Sequence, residues 1–77
     1  MMLYRVMTGA IKGLDNARKV EEELRGMGYT ELLVTTFGNA YAVEVISCCD
    51  KAKIDKARAD VKKVTGKRAA VQTTNIY

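Results

Sequence analysis

Histidine, proline and tryptophan are missing from this 77-residue chain, phenylalanine occurs once and cysteine twice. Each shortage closes a route. Two thiols with no histidine cannot complete a tetrahedral zinc site, so no metal or other cofactor is expected. The commonest general base is gone as well. The carboxylates are scattered, no nucleophile has a base nearby in sequence, and no glycine-rich phosphate loop follows the first strand-like stretch. Catalysis is therefore not expected. Cys48 and Cys49 are neighbours. Bridging them would close a strained ring, so they read as two small residues in a turn, or as a thiol switch. No apolar run approaches the roughly 18 residues of a membrane span, and no membrane is expected as a partner. Arg5 and Lys12 interrupt the first apolar stretch and no small-residue cleavage site follows it, so no signal peptide is read there. The expected location is cytoplasmic if the chain is complete, or the cell wall if it is a piece of a longer exported protein or lysin.

What is present suits a small soluble domain: 48% apolar and 29% charged residues in a single unit, 1–77, near the lower limit for a core without staples. Tyr4, Val6 and Thr8 alternate with Leu3, Arg5 and Met7, which predicts a strand over 3–8. A loop reaches Leu14, and Asp15 is the expected N-cap of a first helix. Ala17, Val20, Leu24 and Met27 fall on one face of that helix, and Gly28 is its expected C′ residue. A second strand is expected over 31–36, a turn over 37–39 and a third strand over 40–46, the short link making an antiparallel hairpin. Ser47 or Asp50 caps a second helix, whose apolar face is Ile54, Ala57, Val61 and Val64 and which stops at Thr65-Gly66. A fourth strand is expected over 68–73, with 74–77 as a tail.

The pattern recurs at a fixed interval. Thirty-seven positions after Tyr4 and Val6 come Tyr41 and Val43, and the same shift carries Val34 onto Val71 and Thr36 onto Thr73. Two alike β-α-β halves predict an α+β fold, βαββαβ, with a four-stranded antiparallel sheet in order 4-1-3-2 and two helices on one face. Tyr4, Val6, Thr8, Leu32, Val34, Thr36, Tyr41, Val43, Val45, Ala69 and Val71 should then face the helices. Arg5, Met7, Leu33, Thr35, Ala42, Glu44, Ala70 and Gln72 should line the open face.

These residues resemble a SPOR domain, a module of bacterial cell-division proteins, sporulation proteins and cell-wall amidases. The family's first strand typically reads Tyr-x-Val-Gln-x-Gly-Ser-Phe, here Tyr4-Arg5-Val6-Met7-Thr8-Gly9-Ala10-Ile11. Its first helix often opens with Asn-Ala and ends in Gly-Tyr, here Asn16-Ala17 and Gly28-Tyr29. Its third strand often reads Tyr-Arg-Val-x-Val-Gly-Pro-Phe, here Tyr41-Ala42-Val43-Glu44-Val45-Ile46-Ser47-Cys48. The resemblance implies a non-catalytic module that holds peptidoglycan glycan strands, or an associated wall polymer, on the open sheet face as the targeting part of a larger protein such as an amidase or endolysin. The family's glutamine falls on Met7, its serine on Ala10, its arginine on Ala42 and an aromatic of some members on Ala40. Each match exchanges a hydrogen-bonding or stacking group for a small or apolar one, and a sugar group left unpaired costs roughly 1–3 kcal/mol. With Arg5, Leu33 and Glu44 these positions make up the candidate ligand-binding set.

Other readings stand beside it. Arg5 and Glu44 can grip a ligand or simply form a cross-strand ion pair. Met7, Leu33, Ala42 and Ala70 make the face partly apolar, suited to a protein partner or a homodimer, or to cover by the folded-back tail. That gives the alternative of a stand-alone intracellular interaction module, bacteriophage origin included. The second helix and the turn after it carry eight basic residues against two acidic ones, and Lys56, Lys62, Lys63, Lys67 and Arg68 are the candidate polyanion-binding set. Nucleic acid is the least favoured partner, because no ring is expected on the open face of the central strands.

Overall fold

The computed structural model describes residues 1–76. Its elements are β1 (Met2–Met7), α1 (Leu14–Gly26), β2 (Leu33–Phe37), β3 (Ala40–Cys48), α2 (Lys51–Thr65) and β4 (Ala70–Asn75). The helices begin thirty-seven residues apart, as do β2 and β4, so the two halves are built alike. All strand pairs are antiparallel and the order is β2-β3-β1-β4, the expected arrangement read from its other edge.

The core lies between the sheet and the helices. Val6, Val43 and Val45 meet Ala17 and Leu24 of α1 and Ile54, Ala57 and Val61 of α2, all buried. α1 lies over β2 and β3, α2 over β1 and β3, and neither helix reaches β4 among the described residues. Val71 pairs with Val6 and so points to the helix side as expected, yet it is 36% exposed because no helix lies over that edge among the described residues.

Three local details depart from the sequence reading. The N-cap of α1 is Gly13 (φ 88°), not Asp15, which sits inside the first turn, and Gly13 supplies no side-chain cap. The Asn16 side chain instead donates from Nδ2 to the Lys12 carbonyl at 2.8 Å. At the other end Met27 is the C-cap and is exposed. Gly28 takes φ 104°. The Gly28 and Tyr29 amides then donate back to the Arg25 and Leu24 carbonyls at 3.0 and 3.3 Å, a Schellman closure. The turn delivers Tyr29 into the core place that the helical spacing reserves for Met27. Residues 74–76 of the tail do not fold across the open face: β4 runs to Asn75, and the Ile76 amide donates to the Met1 carbonyl at 2.8 Å. Tyr77, the last residue of the expected tail, lies outside the described residues.

In α2 the expectation holds. Asp50 accepts from the Ala52 amide at 3.0 Å, and Gly66 closes the helix in the left-handed region at φ 76°. Ser47 belongs to β3 instead of capping the helix.

β1 leaves the sheet at Thr8, which is buried. Its hydroxyl accepts from the Val43 amide at 2.9 Å and donates to the Gly9 carbonyl at 2.9 Å, doing the work of a ladder carbonyl. Thr8→Val keeps the shape and orphans a buried amide. It should lower stability by about 1–3 kcal/mol, with Thr8→Ser close to the parent, as read by urea unfolding.

Candidate functional site

The face of the sheet turned away from the helices is built by cross-strand pairing. Leu33 pairs with Glu44, Glu44 with Met7, and Met7 with Ala70, giving one row across all four strands. The next row runs Ser47, Arg5, Gln72, and beyond it Leu3 pairs with Thr74. Toward the hairpin, Thr35 pairs with Ala42 and Phe37 with Ala40.

A β-bulge decides which residues reach this face. The β1–β3 register steps between Val6, opposite Ile46, and Met7, opposite Glu44, leaving Val45 as the extra residue. Val45 is buried and Ile46 packs against the core beside it, while Ser47 comes round to the open face opposite Arg5. Strict alternation from Val43 would have sent Ser47 into the core.

Arg5 and Glu44 do meet: Nε lies 3.4 Å from Oε1, with the guanidinium side chain half exposed. β2 begins at Leu33 while β3 continues to Cys48, so the two part company here and leave a notch. On the open face the notch is a shallow cleft of about 110 Å³ lined by Arg5, Glu31, Leu33, Glu44, Ile46 and Ser47. Four of those side chains offer charged or hydroxyl groups to a polar ligand. On the helix side of the same notch a cleft of about 250 Å³ lies among Tyr29, Thr30, Val45, Cys48 and Lys53. Cys48 and Cys49 are free thiols, the former half-buried and the latter exposed.

The other candidate positions fare unequally. Met7 and Leu33 lie on the open face, and Leu33 is 54% exposed. Ala40 is half-buried at the hairpin, and Ala10 is exposed in the loop after β1. Ala42 faces this side, yet at 2% exposure it is floor and offers a ligand almost no surface.

The sequence reading missed Phe37. It is placed there in a turn, but β2 includes it and the turn shrinks to Gly38-Asn39, with Gly38 at φ 62°, the backbone sign a type II′ turn gives its first central residue. Phe37 then continues the run Leu33, Thr35 on the open face and is 62% exposed, beside the Ala40 position where some SPOR domains carry their aromatic. Extending the period of two by one residue would have found it. Ser47 had no such signal, because the bulge that exposes it breaks the period.

The basic residues divide between two sides of α2. Lys56 is committed to Asp60 at 2.8 Å and sits 5.3 Å above the Tyr29 ring, while the Tyr29 hydroxyl donates to Asp60 Oδ2 at 2.5 Å. The hydrogen bonds from Lys56 and then Tyr29 hold the Asp60 carboxyl below its ordinary range, with the Lys63 charge adding to them. Burial first, and the Asp60 carboxylate second, push the Tyr29 phenol well above its ordinary value. Lys67 follows the C-cap, its amide donating to Thr65 Oγ1 at 3.2 Å. Lys62 and Arg68 lie with Arg58 along a groove on the β4 side. Among the described residues no group of acidic, cysteine or histidine side chains is placed to hold a metal, and no helix is long and apolar enough to cross a membrane.

No protein-family model matches the chain, and no curated protein matches it either. Solved structures do. A peptidoglycan-binding domain of the B. subtilis cell wall lytic enzyme CwlC superposes with a TM-score of 0.69 at 25% identity, over 97% of this chain and 92% of that one. The C-terminal RNP domain of the divisome protein FtsN gives 0.72 at 18% identity, over 95% and 94% of the two chains. The SPOR protein DedD gives 0.56 at 24% identity, covering 92% of this chain and 38% of that one. The resemblance to SPOR domains read from the strand and helix motifs therefore holds in three dimensions.

Proposed function

We propose that this SPOR-like chain is a non-catalytic module that binds peptidoglycan glycan strands on the open face of its sheet. The observation that carries the reading is a bare sheet face, with a polar cleft at Arg5, Glu44 and Ser47, in a chain that shares its fold end to end with a peptidoglycan-binding domain. In this reading Arg5, Ser47 and Gln72 form the polar row that meets sugar hydroxyls and N-acetyl groups, and Phe37 provides the apolar plane that a pyranose ring covers. These side chains take over, from neighbouring positions, the roles left vacant by Met7, Ala40 and Ala42. Binding is its whole task; as part of a larger protein such as a wall amidase or endolysin it would hold a hydrolase against its substrate.

Retention of the 77-residue chain on purified sacculi is the direct test. The expected result is retention that survives, or increases on, removal of stem peptides. Passage of the chain through both preparations without retention would retire the glycan reading. The exposed Leu33 and Phe37 on the edge strand then favour the second reading, a protein partner or a second copy on the same face.

A further inference from the structure

The sheet has a second side, and its edge there is open. Neither helix covers β4 among the described residues, and α2 runs beside it at a distance. The gap is a trough of about 190 Å³ between α2 and the segment leading into β4. Arg58 and Lys62 stand on its helix wall and Arg68 on the opposite wall, with Ala59 and Ala69 between. The acidic group in the lining is Asp55, more than half exposed and 4.0 Å from the Arg58 guanidinium. Lys56 is paired with Asp60, and neither it nor Lys63 belongs to this lining.

We propose that this trough binds a phosphodiester-linked polyol chain, the chemistry of an anionic cell-wall polymer. The choice of the wall as the source rests on the glycan reading above; the trough itself does not. Arg58 and Lys62 are one helical turn apart, about 6 Å along the axis, and Arg68 faces the trough from its other wall, so the cations suit a ligand with charge repeated along its length. The Arg58 and Arg68 guanidiniums offer paired donors that match phosphate oxygens, and the Lys62 ammonium adds a point charge. All three side chains belong to exposed residues, so each contact is weak and only a repeating ligand adds them up. Among the described residues the lining holds no aromatic ring on which a base could stack, which argues against single-stranded nucleic acid. The sheet separates this trough from the open face, so both ligands fit at once.

The test uses the 77-residue chain and lipid-free poly(glycerol phosphate). Binding should fall roughly twentyfold between about 50 and about 200 mM salt, the slope expected when three phosphates are neutralised on a flexible strand. R58E/K62E should weaken it at least tenfold and leave retention on sacculi stripped of anionic polymer unchanged. R5A should do the reverse. K12E/K19E, an equal change of charge on exposed residues elsewhere, should cost little. Absence of binding at low salt, or an equal loss in K12E/K19E, overturns the trough. Tighter binding of a single-stranded oligonucleotide of the same charge overturns the polyol assignment. Failure of the glycan reading shows up separately, as unretained protein on stripped sacculi with polymer binding intact.

Discussion

Replacing Tyr29 with alanine should lower stability by about 3–5 kcal/mol, a large share of what a small domain possesses. The residue serves three links at once. It fills the core beside Leu24, it secures the Schellman closure of α1, and its hydroxyl ties the end of α1 to Asp60 of α2. Tyr29→Phe keeps the first two and should cost about 1 kcal/mol. Urea unfolding followed by circular dichroism separates the variants; an alanine variant within about 1 kcal/mol of the parent would show that Met27 or another side chain can refill the site. The same cluster sets two limbs of the pH profile. Asp60 has a folded-state pKa below its unfolded value, so its contribution is complete above the usual carboxylate range and is lost as pH falls through the folded value. Tyr29 is shifted upward, so its contribution is complete below the ordinary phenol range and is lost as pH rises beyond it. Asp60→Asn should flatten the acid limb and Tyr29→Phe the alkaline one.

That cluster also marks the limit of what the chain discloses in one dimension. The architecture was legible because every element repeats at one interval and each strand alternates: Val6 with Val43 and Ile54 with Val61 could be assigned to one core from spacing alone. The Arg5–Glu44 contact was legible for the same reason. What escaped depends on single residues that break a period. Gly28 turns the chain so that Tyr29, which follows the helix, takes the core place the helical period assigns to Met27. The extra residue at Val45 returns Ser47 to the open face. Gly13 caps α1 where a side-chain cap was sought, although the interval of thirty-seven carries the Asp50 cap of α2 onto that very position. The pairing of Tyr29 with Asp60 spans the two helices and follows from their packing, which no local pattern encodes.

The largest functional effect is expected from removing Arg5 and Phe37 together. Arg5 stands at the centre of the polar row, flanked by Ser47 and Gln72, and a hydrogen bond from a charged donor contributes about 1.5–3 kcal/mol when its partner cannot be replaced by water. Phe37 offers an exposed ring whose cover by a sugar should contribute about 1 kcal/mol or more. The two sit in different rows at different ends of the face, so their effects should add, and retention on stem-peptide-free sacculi should fall roughly a hundredfold. Stability should hardly change, since an exposed ion pair such as Arg5–Glu44 contributes about 0–1 kcal/mol. A loss confined to Arg5→Ala would seat the glycan in the cleft beside Ser47 alone. A loss confined to Phe37→Ala would move it to the hairpin end of β2. Full retention by the double variant would take the ligand off the centre and the hairpin end of this face, where, among the described residues, Ala42 is floor, Glu44 is mostly covered, and Met7 and Leu33 have no group that can replace a sugar's water.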